Sequence, residues 1–174
     1  MPVLELPDIA RVLPHRHPIL LVDRVRHLDP DRRIVAEKAI SGAEPCYAGI
    51  DEHAGPDDHA YPATLLIESF GQAGALLWLH SARLRGLDLP GLPLFGAARD
   101  VRFTGSAYPG DVVEHTVELA GTKGDTAFLT GETRVRGTVI VTFGSMLAVA
   151  RGRPAAPERN LNHRAAAVRR LPRR

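Results

Sequence analysis

The chain has 174 residues, 44% of them hydrophobic and 24% charged, with a formal net charge of +2. This is the composition of one globular domain with a sizeable core, and no apolar run is long enough to span a bilayer. The opening residues Pro2, Glu5 and Asp8 form no signal-peptide pattern, and the single Cys46 has no internal partner, so a reducing, cytoplasmic setting is expected.

In chain order, Pro7–Leu13 reads as a short helical turn. Ile19–Leu28 reads as a strand, Asp29-Pro-Asp31 turns the chain, and Arg33–Ile40 returns as a hairpin partner. Residues 41–61, rich in Gly, Pro, Asp and His, read as loop. From Tyr61 to Leu79 the sequence is apolar almost all round, which predicts a buried helix, with Pro62 in its first turn and Gly86 at its C′ stop. Thr64, Glu68 and Gln72 stand at i, i+4 and i+8 and form one polar stripe along it. A carboxyl buried there loses its hydration, its pKa rises, and it becomes a proton donor usable near neutral pH. The plainer alternative is a Glu at the helix edge that reaches solvent or meets an arginine.

Leu94–Phe103, Val112–Leu119, Ala127–Val135 and Val139–Ala150 follow as strands divided by glycine-containing turns. One long helix with an antiparallel sheet gives an α+β fold, and the open edges of such a sheet predict a dimer. Residues 1–150 form this domain and residues 151–174 a tail. The tail holds eight arginines against the single acid Glu158, a net +7, which leaves the domain at −5 within the overall +2. Pro154, Pro157 and Pro172 interrupt the tail, so at most a short helix over 162–170 is expected. It is either solvated or docks an acidic carrier protein. Nucleic acid is not expected as a partner, because residues 1–150 offer neither a basic face nor an aromatic platform.

Pro14-His-Arg-His-Pro-Ile-Leu-Leu-Val-Asp-Arg-Val25, then Pro62-Ala-Thr-Leu-Leu-Ile-Glu-Ser-Phe-Gly-Gln72, then Arg102-Phe103 with Pro109-Gly-Asp111, occur in an order that resembles the β-hydroxyacyl-ACP dehydratases of type II fatty acid and polyketide synthesis. The resemblance covers about residues 7–150. It implies a hotdog fold, a curved antiparallel sheet wrapped around one long central helix, dimeric with active sites between subunits. It also implies the chemistry. A His removes the C2 proton of a 3-hydroxyacyl thioester, a carboxyl from the partner's helix protonates the departing hydroxyl, and a trans-2-enoyl thioester remains. The substrate rides on the phosphopantetheine arm of acyl carrier protein, with no other cofactor and no metal. On this resemblance Glu68 takes the acid position, and the backbone N–H of Ala63, where the family has Gly, polarises the thioester carbonyl. Gln72 orients Glu68 or lines the pocket, and Leu66, Phe70, Leu77 and Phe103 line the acyl tunnel.

The family's Gly-His-Phe-Pro-Gly loop has no match here. Its His stands fourteen residues before the acid, where this chain has Ala54, with His53 one further back. Anchored instead on Tyr47-Ala-Gly49, the His position holds Ile50 and the stretch to Pro62 carries about four extra residues. His53 is the first candidate base, by spacing and by the Gly55-Pro56 beyond it. His59, only three residues before Pro62, is the second, and the third reading has no catalytic His. His15 and His17 lack a third ligand for a metal, and His115, on a strand, is expected at the surface. Two other functions stay open. A non-catalytic hotdog subunit paired with an active paralogue is favoured by the lost loop. A hotdog thioesterase, with a carboxylate activating water, is disfavoured by the Pro14–Val25 motif.

Overall fold

In the residues that the structure describes, 3–87, 89 and 92–151, the elements run β1 (Leu4–Glu5), α1 (Leu6–Val12), β2 (Arg24–Asp29), β3 (Arg33–Ala39), α2 (Ala63–Leu84), β4 (Leu92–Phe103), β5 (Val112–Lys123), β6 (Thr126–Val135) and β7 (Thr138–Arg151). The structure is a computed structural model. Every strand pair is antiparallel, and the sheet order is β1-β2-β3-β5-β6-β7-β4. The fold is α+β: this curved sheet packs the inner faces of β3, β5 and β6 against α2.

Helix α2 starts where Pro62 serves as N-cap and stops at a left-handed Gly86 with φ of 67°. There the N–H of Gly86 bonds Arg83 O (3.0 Å) and that of Leu87 bonds Ala82 O (2.9 Å), the two bonds of a Schellman stop. Leu66, Phe70, Leu76, Leu77 and Trp78 are all at most 2% exposed. Each contributes about 1.5–3 kcal/mol by leaving water. Gly71 lets the helix sit close to the sheet: a Cβ there would lie 2.5 Å from the Phe95 ring.

Several expectations need correction. The strand read over Ile19–Leu28 begins only at Arg24. Ahead of it, backbone groups of Ile19 and Leu21 are bonded by the side chain of Gln72, so they cannot join a ladder. The helix is not buried all round: Ala63 and Thr64 at its start are exposed. His115 is buried, not on the surface, because it shares the inward face of β5 with Val113 and Val117, two residues to either side. The tail over 152–174, with its expected helix over 162–170, lies outside the described residues. No helix among the described residues is long and apolar enough to cross a membrane.

Strand β4 pairs with β7 on one side and, among the described residues, with no strand on the other. Leu94 and Phe103 on it are 52% and 44% exposed. A twelve-residue edge of this kind is an unpaired template for a second chain.

Candidate active site

The second turn of α2 carries Glu68, and the next turn carries Gln72, on the same face. Gln72 is fully buried and uses its whole amide. Its Oε1 accepts from Leu21 N at 2.9 Å, and its Nε2 donates to Ile19 O at 2.7 Å and to Glu68 Oε1 at 2.8 Å. One side chain thus joins the helix to the segment that follows α1 and at the same time orients the carboxyl. That segment is held by Arg16, whose guanidinium donates to Leu13 O and His15 O at 2.9 and 2.6 Å, while Leu21 and Val22 enter the core.

The same segment brings His15 to Glu68, with Nε2 3.5 Å from Oε1. Among the described residues it is the one imidazole within 4 Å of that carboxyl. Burial pushes the His15 pKa below the usual histidine value; Glu68 opposes that shift and Arg16 adds to it. The Glu68 side chain is 28% exposed, so it is half-buried and not enclosed in the core as its apolar surroundings in sequence suggest. Among the described residues nothing bonds to Oε2. In sequence His15 is only half of a His-x-His pair without a third metal ligand; its juxtaposition with Glu68 is long-range and leaves no local pattern.

The candidate bases lie on the loop before α2. His53 is 87% exposed, bonds by its backbone N–H to Asp51 Oδ1 at 2.7 Å, and lines an open recess of about 440 Å³ with Ile50, Asp51, Ala54 and Asp58. His59 ends a 3₁₀ turn over Pro56–His59, has Nδ1 3.0 Å from Gly55 O, and stands 6.3 Å from the Tyr47 ring. Neither meets Glu68 of its own chain within ion-pair distance. The root of the loop is held by a buried pair, Lys38 Nζ to Glu44 Oε1 at 2.8 Å.

The expected tunnel wall needs correction. Leu66, Phe70 and Leu77 belong to the closed core. Phe70 stacks on Phe143 with centroids 3.7 Å apart and meets the His115 ring edge-on, which leaves it no face for a ligand within the single chain. Phe103 stays exposed on the β4 edge, and Ala63 exposed at the first turn of α2, where helical N–H groups have no internal acceptor. Next to Glu68, Ser69 turns the other way. Its Oγ is 2.8 Å from His115 Nε2, whose Nδ1 is 2.9 Å from Thr133 Oγ1. Burial pushes His115 down to about 3, so this closed trio holds a neutral imidazole and offers no path to substrate. A second recess, about 350 Å³ between α1 and the end of α2, is lined by Arg11, Leu13, Arg16, Arg83 and Leu89; Glu68 lines neither recess.

The FabA-like domain family matches residues 13–144. The chain is 40% identical over 108 residues to a 3-hydroxyacyl-[acyl-carrier-protein] dehydratase FabZ of Symbiobacterium thermophilum, covering 62% of this chain and 70% of that protein. It is 37% identical over 149 residues to the protein of the same name from Anaeromyxobacter sp., covering 84% and 92%. Among solved structures, the dehydratase heterocomplex ApeI:P from Xenorhabdus doucetiae superposes with a TM-score of 0.68 at 20% identity, over 86% of this chain and 91% of that one. That likeness shows the hotdog fold.

Proposed function

The chain belongs to the FabA-like family, and on that premise we propose that it removes water from a 3-hydroxyacyl thioester carried by acyl carrier protein, leaving a trans-2-enoyl thioester. The observation that carries the reading is the Glu68 carboxyl, held on its Oε1 edge by a buried Gln72 and, among the described residues, left free at Oε2. In the reaction an imidazole takes the C2 proton, the C2=C3 double bond forms as the C3–O bond breaks, and the proton of Glu68 leaves with the hydroxyl as water. The free N–H groups at the start of α2, Ala63 among them, face the negative charge that develops on the thioester oxygen.

The base in this reading comes from the partner subunit's loop, His53 first and His59 second. That division is supported by the lack of either residue beside Glu68 in one chain and by the β4 edge, unpaired among the described residues, which suits a second hotdog subunit. An acyl groove then forms between copies. The acidic balance of residues 1–150 leaves the arginine-rich tail and the arginines near α1 as the surfaces that suit an acidic carrier.

A second reading, a non-catalytic subunit that pairs with an active paralogue, is favoured by the absent Gly-His-Phe-Pro-Gly loop. The test is an assay of the purified chain with a 3-hydroxyacyl-carrier thioester, beside Glu68→Gln, His53→Ala and His59→Ala. Enoyl product from wild type, with a loss of about 10²–10⁴ in Glu68→Gln, supports the enzyme. A chain inert alone and active with a homologue supports the second reading, and free thiol in place of enoyl product would mark a thioesterase.

A further inference from the structure

We propose that His15 is a positioning residue for Glu68: together with the Gln72 amide it occupies the Oε1 edge of the carboxyl, so that the transferable proton sits on Oε2. This rests on the dehydratase reading above and names a residue outside its acid–base pair.

Gln72 Nε2 is committed to Glu68 Oε1 at 2.8 Å, and its remaining bonds to Ile19 and Leu21 leave it no freedom to turn away. His15 Nε2 approaches the same oxygen at 3.5 Å, longer than a good N–H···O bond, so it acts on the carboxyl as a nearby dipole or charge. The other ring nitrogen, Nδ1, is buried with no hydrogen-bond partner among the described residues. A buried N–H without an acceptor is rarer and costlier than an unused lone pair, so the neutral ring carries its hydrogen on Nε2, facing Glu68.

Two N–H groups then face Oε1, and a proton on the carboxyl belongs on Oε2, where nothing among the described residues competes for it. When Glu68 releases that proton to the leaving hydroxyl, the new carboxylate finds both donors already in place, without reorganisation. The charged groups that face His15 are Glu68 from α2 and Arg16 beside it in the chain; burial and Arg16 oppose the imidazolium, so the ring acts as a neutral N–H donor.

The experiment reads kcat and KM against pH for wild type, His15→Ala and His15→Gln. Expected is a fall in kcat of about 10- to 100-fold for His15→Ala at nearly constant KM, with partial recovery in His15→Gln, which restores an N–H donor but no titration. A His15→Ala profile that superposes on wild type overturns the proposal. Should His15→Ala not fold, the His15 ring nitrogens are read by NMR in wild type and in Glu68→Gln. A hydrogen on Nε2 is expected in wild type, and a hydrogen held on Nδ1 overturns the proposal equally. If wild type turns over no 3-hydroxyacyl thioester, the dehydratase reading fails, and the NMR tautomer alone decides whether His15 presents a donor to Glu68.

Discussion

Gln72 donates from its buried Nε2 to the half-exposed carboxyl of Glu68 across 2.8 Å. The same amide satisfies Ile19 O and Leu21 N, so a residue that orients the acid also closes the segment carrying His15 onto the helix. Gln72→Leu keeps the volume and removes all three bonds, leaving a buried N–H and a partly buried carbonyl unpaired. The expected loss is about 2–4 kcal/mol, read as a lower urea midpoint at unchanged m.

His115 makes stability depend on pH. Its folded pKa is pushed down to about 3 from an ordinary 6.5. Between those values the unfolded chain binds a proton that the folded chain refuses. Stability is therefore complete above about 6.5 and falls as pH drops toward 3, by at most about 1.4 kcal/mol per pH unit from this one group. His115→Gln, which keeps hydrogen-bonding ends for Ser69 and Thr133, should flatten that part of a denaturation series run from pH 7 to 4. An unchanged slope would assign the acid sensitivity to other groups.

The close approach of α2 to β4 is testable by overpacking. Gly71→Ala places a methyl 2.5 Å from the Phe95 ring, and the expected cost is about 1–3 kcal/mol. Phe95→Leu in the same chain makes room, so the double variant should be more stable than the two single losses added together, with a coupling of at least about 0.5 kcal/mol. Simple additivity in thermal unfolding would mean that the ring moves aside freely.

The Lys38–Glu44 pair roots the loop that bears both candidate bases. Its side chains are only 7% and 16% exposed, and Glu44 Oε1 also accepts from Ser41 N at 3.1 Å. Glu44→Ala strands the ammonium and should cost about 3–5 kcal/mol. Limited proteolysis should then cut within residues 41–61 before any other site; protection equal to wild type would contradict an anchoring role.

Local pattern alone settled a good part of the molecule. The helix from Pro62 to Gly86 was legible because its apolar run is long, proline-free inside, and ended by a glycine that takes the left-handed stop. The four later strands were legible from alternation and from their glycine turns, and Glu68 stood out as the one acid of an otherwise apolar helix. Each of these signals lies within a few residues of what it describes.

Distance along the chain hid the rest. Residues 19–22 have strand-like composition, yet a glutamine from α2 takes the Ile19 carbonyl and the Leu21 N–H and holds the segment out of the sheet. His115 looks like any strand histidine until Ser69 and Thr133 close around it, and Phe70 looks like a pocket wall until Phe143 stacks on it. His15 meets Glu68 only because α1 and the turn at Arg16 fold back across the helix. Periodicity and capping are properties of neighbouring residues and survive in the sequence; which side chains share a buried polar contact is decided by packing between segments, and only the tertiary structure records it.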